Sequence, residues 1–216
     1  MTINKDDLLN SILTSISKID YVKSTDIPNI DLYMDQVTSF MDKELKFTKR
    51  YEDDKILTKT MINNYAKNDL LPAPVKKKYS KEHLMVLTFI YYFKNLLSIS
   101  DIEKILAPIT EKYFHAEDGI NIAHIYDEVC GASMKRTHTL QEDIQSAFEA
   151  SKETFTDMEG EEQSMLQYFS FICMLSLDVY VKKQLIERLI DLGSAKEEPD
   201  EKVPEKKEKK EKKEKK

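Results

Sequence analysis

The first 118 residues of this 216-residue chain contain no glycine, and only 4 glycines occur in all, at 119, 131, 160 and 193. Glycine is the usual residue of tight turns, and strand-rich folds need many of them. The scarcity therefore favours helices joined by other means. Hydrophobic residues make up 41% of the chain, enough for a packed core.

Apolar spacing says where the helices lie. Leu8, Leu9, Ile12, Leu13, Ile16 and Ile19 recur at helical intervals over Asp6–Val22. After Pro28 a second helix is predicted over about 29–45, with Ile30, Tyr33, Met34, Val37, Phe40, Met41 and Leu45 on one face. A polar link follows at 46–55. Thr58 then reads as an N-cap, with Leu57 and Ile62 as a hydrophobic staple, for a short helix ending near Asp69. Pro72 and Pro74 stop it. Residues 72–79 read as a loop or short β-hairpin with Lys76, Lys77 and Lys78 near its tip. Ser80 should cap a helix through Leu97, and Ser100 a short one ended by Pro108. Further helices are predicted at about 109–114, 121–130, 139–158 and 162–191, with the four glycines between or after them. The last is apolar round most of its circumference from Met165 to Val181, the signature of a central helix or of a subunit interface. From Lys196 onward Glu-Lys-Lys repeats predict a disordered tail.

Charge is distributed unevenly. The formal net charge is −6, but residues 46–94 carry +6, against −4 for 1–45, −10 for 95–195 and +2 for 196–216. A compact basic segment in an acidic chain points to a polyanion-facing patch. Cys130 and Cys173 are too few and too far apart for a disulfide scaffold or a cysteine zinc site, which fits a reducing, cytoplasmic setting. The first residues show no signal-peptide pattern, and the longest apolar runs, Leu84–Phe93 and Tyr168–Leu177, are short for a membrane span.

Catalytic motifs are missing. His83, His115, His124 and His138 have no zinc spacing, and no nucleophile elbow, phosphate loop or dinucleotide fingerprint occurs. His115, Glu117, Asp118 and His124 read as a solvated loop, and Cys130 as a structural thiol. No enzyme activity, cofactor or metal is expected.

The order of helix, basic-tipped loop, longer helix and capped helix is that of a winged helix-turn-helix. Ile62-Asn-Asn-Tyr-Ala-Lys-Asn-Asp-Leu-Leu-Pro72 resembles the recognition helix and exit of MerR-type transcription regulators, which read Leu-Arg-Tyr-Tyr-Glu-Arg-x-Gly-Leu-Leu-Pro. Lys78-Tyr-Ser-Lys-Glu-His-Leu84 and Ser98-Ile-Ser-Asp-Ile102 are similar to later parts of the same pattern. The resemblance spans about residues 56–106. Asn63 stands where those regulators carry a phosphate-binding arginine, Asp69 replaces their glycine, and their metal-sensing cysteines have no counterpart. The chain also resembles an uncharacterised bacterial family of unknown function, which shares the region from Asp26-Ile-Pro28 to Ser98-Ile-Ser-Asp101.

The resemblance implies a mostly α protein: an N-terminal helix at 1–26, a winged helix-turn-helix with a small β-hairpin wing at 27–108, an all-α dimerisation or effector domain at 109–195, and the tail at 196–216. Its partners would be double-stranded DNA, a second copy as homodimer, and a small-molecule or protein effector at the C-terminal helices, with no membrane. The candidate DNA contacts are Lys59, Thr60, Asn63, Asn64 and Lys67 on the recognition helix at about 58–69, and Lys76, Lys77, Lys78 and Tyr79 on the wing. Asparagine can read adenine through two hydrogen bonds, and lysines can hold phosphates. The alternative is a non-catalytic interaction adaptor that keeps the scaffold without binding DNA.

Overall fold

The computed structural model describes residues 9–11, 13–14 and 21–194. Most of the helix predicted over Asp6–Val22 and all of the tail 196–216 lie outside the described residues. The order is β1 (Leu32–Tyr33), α1 (Met34–Glu44), a 3-10 turn (Lys46–Thr48), α2 (Lys59–Lys67), β2 (Lys78–Tyr79), α3 (Lys81–Phe93), α4 (Ile99–Tyr113), α5 (Ile122–Lys135), α6 (Thr137–Lys152) and α7 (Gly160–Ser194). The chain is mostly helical, with one small antiparallel sheet in which Leu32 faces Tyr79 and Tyr33 faces Lys78.

Capping chemistry sets several starts. The Thr58 hydroxyl accepts a hydrogen bond from the Met61 N–H at 3.2 Å, and Leu57 and Ile62 are both buried, so the cap and staple form as the sequence predicts. Ser80 opens α3, where the Ser80 N–H donates to His83 Nδ1 at 3.0 Å. Ser98, not Ser100, caps α4, accepting from the Asp101 N–H at 3.2 Å. Asn121 caps α5 by accepting from the His124 N–H at 3.0 Å.

Other boundaries differ. Helix α1 starts at Met34 because residues 32–33 are drawn into the sheet, which leaves Ile30 and Tyr33 exposed instead of on the core face. Helix α3 ends at Phe93, four residues early. Helix α4 runs through Pro108 to Tyr113, so Pro108 gives up one backbone bond without ending the helix. Buried Ile102, Leu106 and Thr110 hold the two halves on one packed face. Gly131 lies inside α5 and Gly193 inside α7, neither ending a helix.

One core runs from Val22 through α1, α2, β2, α3 and α4 to Ile122, Tyr126 and Cys130 of α5, with Ile190 of α7 at its edge. Helix α3 is its centre, with Leu84, Met85, Val86, Leu87 and Ile90 all buried. The expected division at 108 therefore falls inside a helix, and α5 belongs to the same core. Tyr126 closes this core by donating from its hydroxyl to the Val22 carbonyl at 2.5 Å. A second, small core joins Leu9, Phe148 of α6 and Phe171 of α7.

Helix α7 is not a central helix. Of its 35 residues only Gln167, Phe171 and Ile190 are buried. By length and composition it is long and apolar enough to cross a membrane, its most apolar 18-residue stretch having mean hydropathy 1.3. The expectation of no such segment rested on uninterrupted apolar runs, which Gln167 and Asp178 break without ending the helix.

Candidate nucleic-acid interface

Helix α2 divides cleanly. Ile62 and Tyr65 are buried against the core, and burial pushes the Tyr65 phenol above its ordinary pKa. Lys59, Thr60, Asn63, Asn64 and Lys67 are all exposed. At about 100° per residue these five share an arc of about 140°, opposite the buried pair. The helix exit also forms. The Leu70 and Leu71 N–H groups both donate to the Tyr65 carbonyl, at 2.9 and 3.1 Å, around Asp69 with φ 57°. Aspartate thus holds the left-handed position usually given to glycine, since its short polar side chain tolerates that region.

The basic hairpin is tighter than a loop. Val75 bridges Lys78, and the Lys78 N–H donates to the Val75 carbonyl at 3.0 Å. Between them Lys76 and Lys77 have φ 51° and 64°. Two successive left-handed residues define a primed hairpin turn, normally filled by Asn-Gly. Here two exposed lysines fill it at a cost in backbone strain.

The remaining candidates separate. Tyr79 is 3% exposed, so its ring belongs to the core and leaves the set of surface contacts. Strand alternation explains this: paired with Leu32, it points inward, while Lys78 points out. Lys78 lies with its Nζ 5.3 Å from the centre of the Tyr33 ring, and Lys59 forms an ion pair with Asp35. The β1–α1 junction thus sits between the base of the hairpin and the start of α2. Tyr33, 55% exposed there, was hidden from sequence reasoning by its apolar spacing with α1. Among the described residues no ion pair engages Lys67, Lys76 or Lys77, which leaves these three cations facing solvent. Elsewhere in the basic segment Lys49 pairs with Asp42 at 2.7 Å, and Lys94 turns inward to donate to the Ile56 carbonyl at 2.7 Å.

Behind the hairpin, His83 is 1% exposed and packs edge-on against Tyr79 and Phe114. Burial lowers its pKa to about 4, against weaker opposition from the Ala73 carbonyl. With Nδ1 accepting from the Ser80 N–H, a second proton would meet a donor. Next to it, His115 Nδ1 lies 2.7 Å from Glu82 Oε2. His115, Glu117, Asp118 and His124 do not assemble into a metal-holding group, and no such group occurs among the described residues. The Cys130 thiol is buried, and burial raises its pKa. An open, largely apolar groove of about 520 Å³ lies between α4 and the end of α7, lined by Ile105, Pro108, Ile186, Leu189 and Ile190.

These features define a small helical module with a charged hairpin and a polar outward helix face. The chain belongs to the family described as domain of unknown function (DUF1836), which matches residues 22–129. That span takes in most of the main core, which reaches beyond it to Cys130 and Ile190. No curated protein and no solved structure matches the chain.

Proposed function

We propose that this protein is a cytoplasmic DNA-binding transcription regulator of MerR-like winged helix-turn-helix type, acting as a homodimer. Helix α2 would enter the major groove and the Lys76–Lys77 tip would hold the phosphate backbone. The observation that carries this reading is the exposed arc of Lys59, Thr60, Asn63, Asn64 and Lys67 on a helix pinned from behind by Ile62 and Tyr65. Strained lysines at the hairpin tip support it, because strain persists where the surrounding structure enforces it, often at sites of function. Lys59 would exchange Asp35 for a phosphate at small cost, exposed ion pairs being weak. The apolar groove between α4 and α7 is the seat proposed for an effector.

Fluorescence anisotropy with duplex DNA over a salt series tests this. Affinity should fall steeply with salt, and replacing Lys76, Lys77 and Lys78 with Ala should flatten the log–log slope by up to about 3. An unchanged slope, or no binding at low salt, overturns the proposal.

A second reading, a non-catalytic interaction adaptor on the same scaffold, is favoured by one observation, the exposed apolar surface of α7. It predicts no DNA affinity at any salt concentration.

A further inference from the structure

Helix α7 is covered on different sides along its length. Its first half lies on α6: Phe171 packs edge-on against Phe148, and Gln167 donates to the carbonyls of Lys152 and Thr154 at 2.7 and 2.9 Å. Its last turns lie on α4 through Ile186 and Ile190. From Gln167 to Ile190 the covered side moves by about 140° round the helix. In between, residues 176–182 are all exposed. Away from the α6 contact runs an apolar stripe of Met165, Phe169, Ile172, Val179 and Tyr180, with Tyr168 between it and α6, each 43–63% exposed. A contiguous stripe of this kind marks an interaction surface.

We infer that a second copy of this chain covers the stripe, with the two α7 helices antiparallel and crossing near Ile172–Cys173. Charge gives the direction. Glu161 and Glu162 precede the stripe, Lys182 and Lys183 follow it, and Asp178 is the one charge between them. The midpoint of the two pairs is residue 172. Antiparallel helices therefore set each glutamate pair beside the other chain's lysine pair. Parallel helices would set Glu beside Glu and Lys beside Lys.

Other occupants fit less well. The tail 196–216 offers Val203 as its one aliphatic side chain and cannot cover such a stripe. Leu9 and Leu13 already pack on the Phe148–Phe171 side. A bilayer would have to take in Asp178 and release Gln167 from its two carbonyl acceptors. The inference rests on the homodimer proposed above and not on DNA binding, which the anisotropy salt series reads separately.

The full-length protein is examined by sedimentation velocity from 1 to 100 μM, where a dimer is expected. Ile172→Lys should shift it to monomer with an unchanged circular dichroism spectrum, because Ile172 is surface-exposed, and with a melting temperature that no longer rises with concentration. Reversing both glutamates to Lys should weaken the dimer by about tenfold, and also reversing Lys182 and Lys183 to Glu in the same chain should restore it. Direction is read by mixing Met165→Cys and Val179→Cys chains, each also carrying Cys173→Ser, with a short bismaleimide. Antiparallel helices cross-link 165 to 179, whereas like residues lie about 21 Å apart along the axis. Like-with-like cross-links overturn the antiparallel arrangement. A monomer at 100 μM overturns the self-interface. If that monomer floats with phosphatidylcholine vesicles, the stripe belongs to a bilayer instead.

Discussion

Lys76 and Lys77 occupy a turn whose backbone suits Asn-Gly, which sets charge against stability. The double change Lys76→Asn, Lys77→Gly should relieve that strain and raise stability by about 1–2 kcal/mol in thermal melts. It should also flatten the proposed DNA salt slope by about 2. His83 makes a second residue-level case. Its pKa is depressed from 6.5 to about 4, so between those values the unfolded chain binds the proton and the folded chain does not. Stability therefore falls as pH drops through that window, by up to about 3 kcal/mol from this group. His83→Gln retains an acceptor for the Ser80 N–H and should remove that part of the pH dependence in urea titrations. Tyr79 and His83 also show what spacing alone missed: an aromatic beside three lysines reads as a surface contact until strand pairing turns it inward.

At the scale of elements, polar caps stand in for glycine in the first 118 residues, as the composition required. Thr58, Ser80 and Ser98 start helices there, and Asp69 ends one. Where glycine does occur, position decided its role. Gly131 lies within α5, with nothing near the place a Cβ would occupy. Gly131→Ala should therefore stabilise the protein by about 0.5–1 kcal/mol, read as a raised melting temperature. A lower melting temperature would show that this position needs glycine for another reason. The helix starts were legible because a cap is a local device. Pro108 marks a helix end by its local geometry, but tertiary packing of Ile102, Leu106 and Thr110 outweighs one lost backbone bond.

Across the whole molecule, the main core is closed by a contact spanning 104 residues, from the Tyr126 hydroxyl to the Val22 carbonyl. Tyr126→Phe leaves a buried carbonyl unpaired and should cost about 1–2 kcal/mol in chemical denaturation, without changing DNA affinity. A larger loss, with a reduced denaturant slope, would mean that α5 detaches from the core.

Read alone, the sequence determined that the chain is mostly helical, where α2 begins, that a basic loop or hairpin follows it, and that residues 46–94 carry the excess of positive charge. These follow from near-neighbour physics: periodicity, capping, proline geometry and the sum of charges. Tertiary structure alone decided that Tyr79 faces inward, that Asp35 claims Lys59, that α5 joins the family core and that α7 bares its apolar stripe. Each of these depends on which surface another element covers. Apolar periodicity says that a helix has a face to bury, and only the packed molecule says whether anything within the chain buries it.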